Sequence, residues 1–288
     1  MAVPTTKKGS AENAVVLMDA ATKANRSDAF QTGFLIELPA RGEVMITGDL
    51  HGHRHNLERI VHLANLPRHR ERHLILQELV HELNKEEEVC RSHRLVEFAA
   101  RLKATFPGQV HILMGNHEFA EILALDIGKH GRILNMAFDA GGRQLYGEEW
   151  PRVREAYERF WTSCPLAVHC ENRIFICHST PQIKKIEKIS LDYLRTVSMI
   201  DALKRNSPVF DLLWGRDYRE ETANRFAEQV DADVLIVGHT PCDEGMAVPN
   251  SRHVILDCKD HAGKFLLLPL DRPLTQQDVV ESARSLYA

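Results

Sequence analysis

No two cysteines of the chain stand in a CxxC spacing, and the six present (Cys90, Cys164, Cys170, Cys177, Cys242 and Cys258) are scattered. The pattern is that of reduced thiols in a cytoplasm-like compartment, not of a disulfide framework. No run approaches the roughly 20 apolar residues that cross a bilayer, and the first twenty residues hold no apolar stretch leading to a cleavage site. A cytoplasmic protein with no membrane partner is the expectation. Positive charge is not in excess either: the net charge is −4. That argues against broad nucleic-acid binding, which needs a clustered basic surface, while a short basic lining inside a cleft stays compatible. Internal repeats and low-complexity linkers are also missing. With 288 residues, 44% hydrophobic and 26% charged, the chain suits one large α/β domain able to bury a sizeable core.

Histidine is what the chain has in quantity, sixteen in all. Most of the group His69 to His73, with His53 and His55, reads as surface histidine. Others directly follow apolar runs, and these matter more. Residues 1–11 are polar and expected to fray; AENAVVLMDAATKANRSD (11–28) reads as an amphipathic helix. FLIEL (34–38) and EVMIT (43–47), separated by Pro39-Ala40-Arg41-Gly42, read as a hairpin. EVMIT then runs into Gly48-Asp49-Leu50-His51-Gly52, and HLIL (73–76) into Gln77-Glu78. VHILM (110–114) leads to Gly115-Asn116-His117-Glu118, RIFIC (173–177) to His178-Ser179, and DVLIV (233–237) to Gly238-His239-Thr240. Helical patterns over 55–64, 85–104 and 219–229 separate several of these runs. Strands alternating with helices predict a layered α/β sheet with function gathered at the carboxyl ends of strands.

A lone Asp or His after a strand is ordinarily a turn residue or a helix cap. Five strand ends carrying oxygen and imidazole donors together favour a metal site. Hydrolysis of a phosphate ester needs an activated water and a clamp on the phosphoryl oxygens, which two divalent ions roughly 3.5–4 Å apart can supply. Carboxylate, amide and imidazole donors suit Mn, Fe or Zn. Asp49 and His51 can reach one ion, and Asn116, His178 and His239 the other. His117 is free to protonate the leaving alkoxide. Glu118 is expected to hold the loop by hydrogen bonds.

The segments at Gly48–Gly52, Gly115–Glu118 and Gly238-His239-Thr240-Pro241 resemble the signatures of calcineurin-like metallophosphoesterases. AYERFWTSCPLAVHCENRIFICHS (156–179) and VFDLLWGRD (209–217) are similar to segments of its phosphoprotein-phosphatase branch, the serine/threonine protein phosphatases. The resemblance runs from about residue 43 to 270. It implies two packed mixed β-sheets flanked by helices, a four-layer sandwich, with a dinuclear metal site at the strand ends. It also implies a phosphate-binding Arg216 and a phosphorylated protein or small phosphate ester as substrate. Residues 1–32 would form an N-terminal extension with a helix, 33–288 the catalytic domain, and 119–161, with Gly141-Gly142, a helical insertion on the substrate side. HVILDC (253–258) and KFLLLPL (264–270) would form a closing hairpin, and TQQDVVESARSLY a terminal helix.

The chain departs from that pattern at Leu76-Gln77-Glu78-Leu79-Val80-His81-Glu82, where the family has Gly-Asp-x-x-Asp-Arg-Gly. Glu78 falls where the bridging Asp belongs, His81 where the acid histidine has its carboxylate partner, and Glu82 where a phosphate-binding arginine belongs. Glu78, His81 and Glu82 could instead share a helical face and rebuild the metal site, or His81 and Glu82 could open a solvated helix. Ser179 replaces a glycine, and the family's tyrosine loop is not evident around Ala247 to Asn250. A dinucleoside polyphosphate hydrolase, or a non-catalytic binding module that keeps the fold, are the alternatives to a phosphomonoesterase.

Overall fold

The computed structural model describes residues 8–83, 89–129 and 131–287. Two sheets form its centre. In one, strands follow the order Gln31–Thr32, Leu35–Leu38, Ala167–Cys170, Ile174–Cys177, Val234–Val237, His253–Leu256 and Met246–Ala247. In the other the order is Arg284–Ser285, Lys264–Pro269, Glu43–Asp49, Arg72–Gln77 and Val110–Leu113. The last three strands of the second sheet are parallel, as are Ile174–Cys177, Val234–Val237 and His253–Leu256 in the first. Each parallel strand is buried on both faces, which is why it reads as a continuous apolar run.

Side-chain alternation builds the layers. Val44 and Ile46 point between the sheets to meet Ile36, Ile176, Ile236 and Leu266 in one apolar cluster. Met45 points the other way, into a second cluster with Met18, Leu57, Leu95 and Phe160 from the covering helices. Helices thus flank a pair of mixed sheets, the expected sandwich. The helix Lys8–Arg26 buries Ala14, Met18 and Ala21 and packs on the helices His93–Thr105 and Trp150–Trp161.

Both expected hairpins are corrected. Leu35–Leu38 pairs with Ala167–Cys170, and Glu43–Asp49 with Arg72–Gln77 and Lys264–Pro269, so the turn at 39–42 carries the chain from one sheet to the other. His253–Leu256 and Lys264–Pro269 likewise lie in different sheets. A turn signal records a chain reversal; it does not say whether two runs apolar on both sides pair edge to edge or stack face to face. The helix expected over 85–104 begins at His93, while residues 85–88 of that reading lie outside the described residues. The terminal helix is short, Gln276–Glu281, because the chain then pairs Arg284–Ser285 with Lys264–Pro269 as an edge strand. The expected fraying of residues 1–11 falls mostly on residues outside the description, and from Lys8 onward the chain is helical.

Candidate functional site

Strand ends from both sheets converge. Asp49, His51, Glu78, Asn116, His117, Arg216 and His239 line one small cavity of about 40 Å³, and His178 lies buried behind it against Asn116 and Glu78. The loops are laced together: Leu50 and His51 donate their N–H groups to the Glu78 carbonyl at 3.0 and 2.9 Å, and Gly52 to that of Leu79 at 2.9 Å. His51, Glu78, His81 and His239 all adopt left-handed backbone, φ between +41° and +66°. Such conformations cost a non-glycine residue roughly 1–2 kcal/mol each, and here they aim side chains back over the sheet edge. Glycine is required beside the carboxylates. A Cβ at Gly238 would stand 2.3 Å from Asp49 Oδ1, and one at Gly115 would stand 2.6 Å from Glu78 Oε1.

The donors face one another closely. His178 Nε2 lies 2.8 Å from Glu78 Oε2 and 2.9 Å from Asn116 Oδ1, and His239 Nδ1 lies 2.8 Å from the same Asn116 oxygen. Asp49 Oδ2 accepts the His239 N–H at 2.8 Å, and Glu78 Oε1 that of His117 at 2.9 Å. His51 donates from Nδ1 to the Val80 carbonyl at 3.2 Å, which leaves its other nitrogen a lone pair. Glu118 accepts from Leu79 and Val80 on one oxygen and from Gly115 on the other, the loop-holding part expected of it.

Burial sets the charge states. It pushes Asp49 up to about 8, with Glu78 and Asp257 adding to the effect against His178, and it pushes Glu78 up to about 7. His51 is held down to about 3 by burial, and burial also lowers His178 and His239, so the imidazoles are neutral. Neutral imidazole is the form that ligates metal. Asp49 Oδ1, His178 Nδ1 and His239 Nε2 are buried with no hydrogen-bond partner. Ligand atoms of Glu78, His178 and His239 lie within 4.8 Å of one another. Orphaned oxygen and nitrogen donors around a space of this size fit divalent cations: about 10–15 Å³ already holds one water.

The altered segment is not what the sequence suggested. Residues 78–83 form no helix, and His81 is fully buried, so neither a solvated helix start nor a shared helical face survives. His81 has Nδ1 2.8 Å from His117 Nδ1 and Nε2 2.7 Å from Glu121 Oε1, leaving no nitrogen for a metal. Glu82 turns away and accepts the Arg91 N–H at 2.7 Å. His73 is also corrected: it is buried beside His111, 3.1 Å away, and is not a surface histidine. Asp257, Lys129 and Lys259 line the cavity unforeseen. Asp257 follows the apolar run His253–Leu256, the same strand-end signal used elsewhere. Lys129 sits on a small ribbon, Gly128–Lys129 with Arg132–Ile133, that no pattern marks.

A family model for calcineurin-like phosphoesterases matches residues 42–243, which takes in every one of these strand ends but that of Asp257. The chain belongs to this family. Calcineurin-like phosphoesterases use divalent metals, as the donor set requires. A probable serine/threonine-protein phosphatase of Encephalitozoon cuniculi is 23% identical over 77% of the chain and 47% of its own length. A PP2A-like serine/threonine-protein phosphatase of Candida albicans is 21% identical over 76% of the chain and 51% of its own length. The chain thus spans about half the length of these relatives. Among solved structures, a protein serine/threonine phosphatase from Saccharomyces cerevisiae superposes with a TM-score of 0.69 at 13% identity, covering 90% of this chain and 82% of that one. A cold-active protein-tyrosine phosphatase from a psychrophilic Shewanella gives 0.60 at 16% identity, covering 87% and 82%. The family's fold is therefore present, and no described helix is long and apolar enough to cross a membrane.

Proposed function

We propose that this calcineurin-like phosphoesterase hydrolyses phosphomonoesters, with phosphoserine and phosphothreonine in proteins as the substrate class. The observation that carries this is the convergence of orphaned Asp49, His178 and His239 donor atoms on the cavity that His117 also lines. Asp49, His51, Glu78, Asn116, His178 and His239 would hold two divalent ions of the Mn, Fe or Zn kind. Bound there, the ions supply charge neutralisation for the phosphoryl oxygens and lower the pKa of the attacking water.

The chain's own residues do the rest. Arg216, whose guanidinium donates to the His239 carbonyl at 3.1 Å, stands on the wall common to the cavity and an open groove of about 760 Å³. The groove, lined by Lys184, Trp214, Tyr218 and Arg219 among others, has room for a peptide beside the phosphate. Arg216 would orient the phosphoryl group, with Lys129 adding a second cation where the family's arginine is missing. His117 would protonate the leaving alkoxide. Burial and the imidazoles His51, His81 and His178 hold its ring well below the usual histidine range and keep it neutral at rest; the negative charge of bound substrate would favour the cation that the acid part needs.

The test is hydrolysis of a phosphothreonine peptide by Mn-loaded protein, with His117→Asn beside wild type. Activity should fall about 10²–10⁴-fold on the peptide and less on p-nitrophenyl phosphate, whose leaving group needs the proton less. Metal content should stay the same. Mn-loaded wild type that hydrolyses neither compound would overturn the proposal and favour a binding module.

A further inference from the structure

His81 stands where the family pattern gives the acid histidine its carboxylate partner, yet a carboxylate reaches His117 at one remove. His81 lies wholly buried with Nδ1 2.8 Å from His117 Nδ1 and Nε2 2.7 Å from Glu121 Oε1. Glu121 is itself buried, and the same oxygen accepts from Asn135 Nδ2 at 2.8 Å. Its other oxygen lies 3.2 Å from the Arg154 guanidinium. His81 is fixed from its backbone too, by an N–H donated to Ser92 Oγ at 3.2 Å and by left-handed backbone with φ +66°. The Phe138 ring, edge-on at 5.8 Å, closes one side.

Hydrogen-bond accounting orients the chain of groups. An ionised carboxylate only accepts, so His81 Nε2 carries the hydrogen that faces Glu121. Arg154 already supplies Glu121 with a cation, so His81 has no need of a second charge. With that Nε2 hydrogen spent on Glu121, His81 presents a lone pair at Nδ1. His117 must donate to it from its own Nδ1, which turns His117 Nε2 toward the cavity.

We infer that Glu121 and His81 form a two-member relay that positions His117, with Glu121 the distal anion and His81 the intervening acceptor. The relay rests on the general-acid part proposed for His117 above. In that step the His117 Nε2–H bond breaks, its electron pair stays on nitrogen, and the proton goes to the alkoxide to give the alcohol. The Nδ1–H of His117 and the His81–Glu121 hydrogen bond persist throughout. The proton released by the attacking water recharges the ring. His81 and Glu121 touch no substrate and are positioning residues.

Two measurements on the full-length chain test this. The first needs no activity: two-bond ¹H–¹⁵N spectra of histidine-labelled protein should show His117 as the Nδ1–H tautomer and His81 as Nε2–H. Glu121→Gln should release His81 into a tautomer mixture. The second reads leaving-group dependence in the Mn-loaded protein. Glu121→Gln should lower kcat on phenyl phosphate about 10–100-fold, the range for an outer hydrogen-bond partner. Turnover of p-nitrophenyl phosphate should fall less than about threefold, because its leaving group needs little protonation. KM and Mn content should not move. His81→Asp combined with Glu121→Gln is the rescue, since an Asp Oδ stands as many bonds from Cβ as a histidine Nδ1. It should restore most of the phenyl phosphate turnover. Equal losses on both esters, no loss, or His117 in the Nε2–H tautomer would overturn the relay. Wild type that hydrolyses neither ester would instead overturn the proposed function, and the tautomers alone would then decide the relay geometry.

Discussion

The same strands carry two buried, histidine-containing clusters, one at each end, and they are wired oppositely. At the starting ends, His73 of Arg72–Gln77 and His111 of Val110–Leu113 gather around Asp28, which lies 2.6 Å from Lys103 Nζ and 3.3 Å from His111 Nδ1. At the finishing ends of the same two strands stand Glu78 and Asn116, facing Asp49 and the site histidines. Burial would push Asp28 up, but His111 and Lys103 bring it down to about 2. Asp49, equally buried, is driven up to about 8 because Glu78 and Asp257 add to burial and His178 only partly opposes them. One cluster holds its own cation within hydrogen-bond reach. In the other, Lys259 pairs with Asp257 on the rim, while Asp49 and Glu78 have no lysine or arginine within salt-bridge distance among the described residues and orphaned lone pairs remain, the arrangement of a site that takes its cations from outside. The buried ammonium, then, is the difference between a structural cluster and a candidate metal centre built from the same residue types.

The largest expected effect comes from removing that ammonium. Lys103→Met leaves Asp28 buried without its cation and should cost about 3–5 kcal/mol of unfolding free energy, read by urea denaturation. A loss under about 1 kcal/mol would mean His111 alone satisfies Asp28 and would break the contrast. Next comes a matched pair of substitutions with opposite signs. Asp28→Asn should destabilise the protein. Asp49→Asn should stabilise the metal-free protein by about 1–2 kcal/mol, since an amide is cheaper to bury than an unpaired carboxylate. The same Asp49→Asn should weaken Mn binding by more than about a hundredfold, beyond what outer partners contribute. Calorimetry with and without Mn separates the two readings, and destabilisation of the metal-free protein by Asp49→Asn would place it with Asp28.

The finishing-end cluster was largely legible in sequence and the starting-end cluster was not, for a physical reason. A polar residue at a strand end is announced by the apolar run before it, and five such runs led to Asp49, Glu78, Asn116, His178 and His239, which the fold brings together. Asp257 carries the same signal, and only the expectation of a hairpin hid it. His73 and His111 lie inside apolar runs, and their partners Asp28 and Lys103 come from a helix end and a separate helix, so only the folded packing unites them. Glu121 was hidden for a related reason: its partner His81 is forty residues away on a loop whose left-handed turns no helix pattern describes. The sheets were read correctly as elements and wrongly as pairs, because strands apolar on both faces look alike whether they pair or stack.

A smaller effect follows from the depressed Asp28 carboxyl. Its folded value lies below the ordinary 3.8, so its contribution is fully present above that pH and is lost as pH falls toward about 2. The amount is about 2 kcal/mol by linkage. Asp28 raises His73 and His111 against the burial that lowers them, and that coupling also vanishes once its carboxyl is neutral. The difference between wild type and Asp28→Asn, followed by urea denaturation from pH 5 to 2.5, should therefore shrink as pH falls. A constant difference would assign the effect of Asp28 to packing and not to charge.

The finest distinction concerns Lys129, the cation nearest in kind to Lys103 at the other end of the strands. It is half-buried on its ribbon, lines the cavity, and feels Asp257, Asp49 and Glu78, while burial and Lys259 lower its pKa. If it served the carboxylates as Lys103 serves Asp28, its loss would destabilise the fold. No salt bridge ties it to them among the described residues, so the expected part is to meet phosphate. Lys129→Met should raise KM for p-nitrophenyl phosphate about tenfold, the value of one partly exposed charge-assisted hydrogen bond, and leave urea stability within about 0.5 kcal/mol. Glu82→Arg is the control, because Glu82 caps the Arg91 N–H and does not line the cavity. It should shift KM by less than about twofold, within the effect of a distant surface charge. A Lys129→Met protein with unchanged KM and several kcal/mol less stability would erase the distinction between the two ends, since Asp49 and Glu78 would then have a built-in cation as Asp28 has.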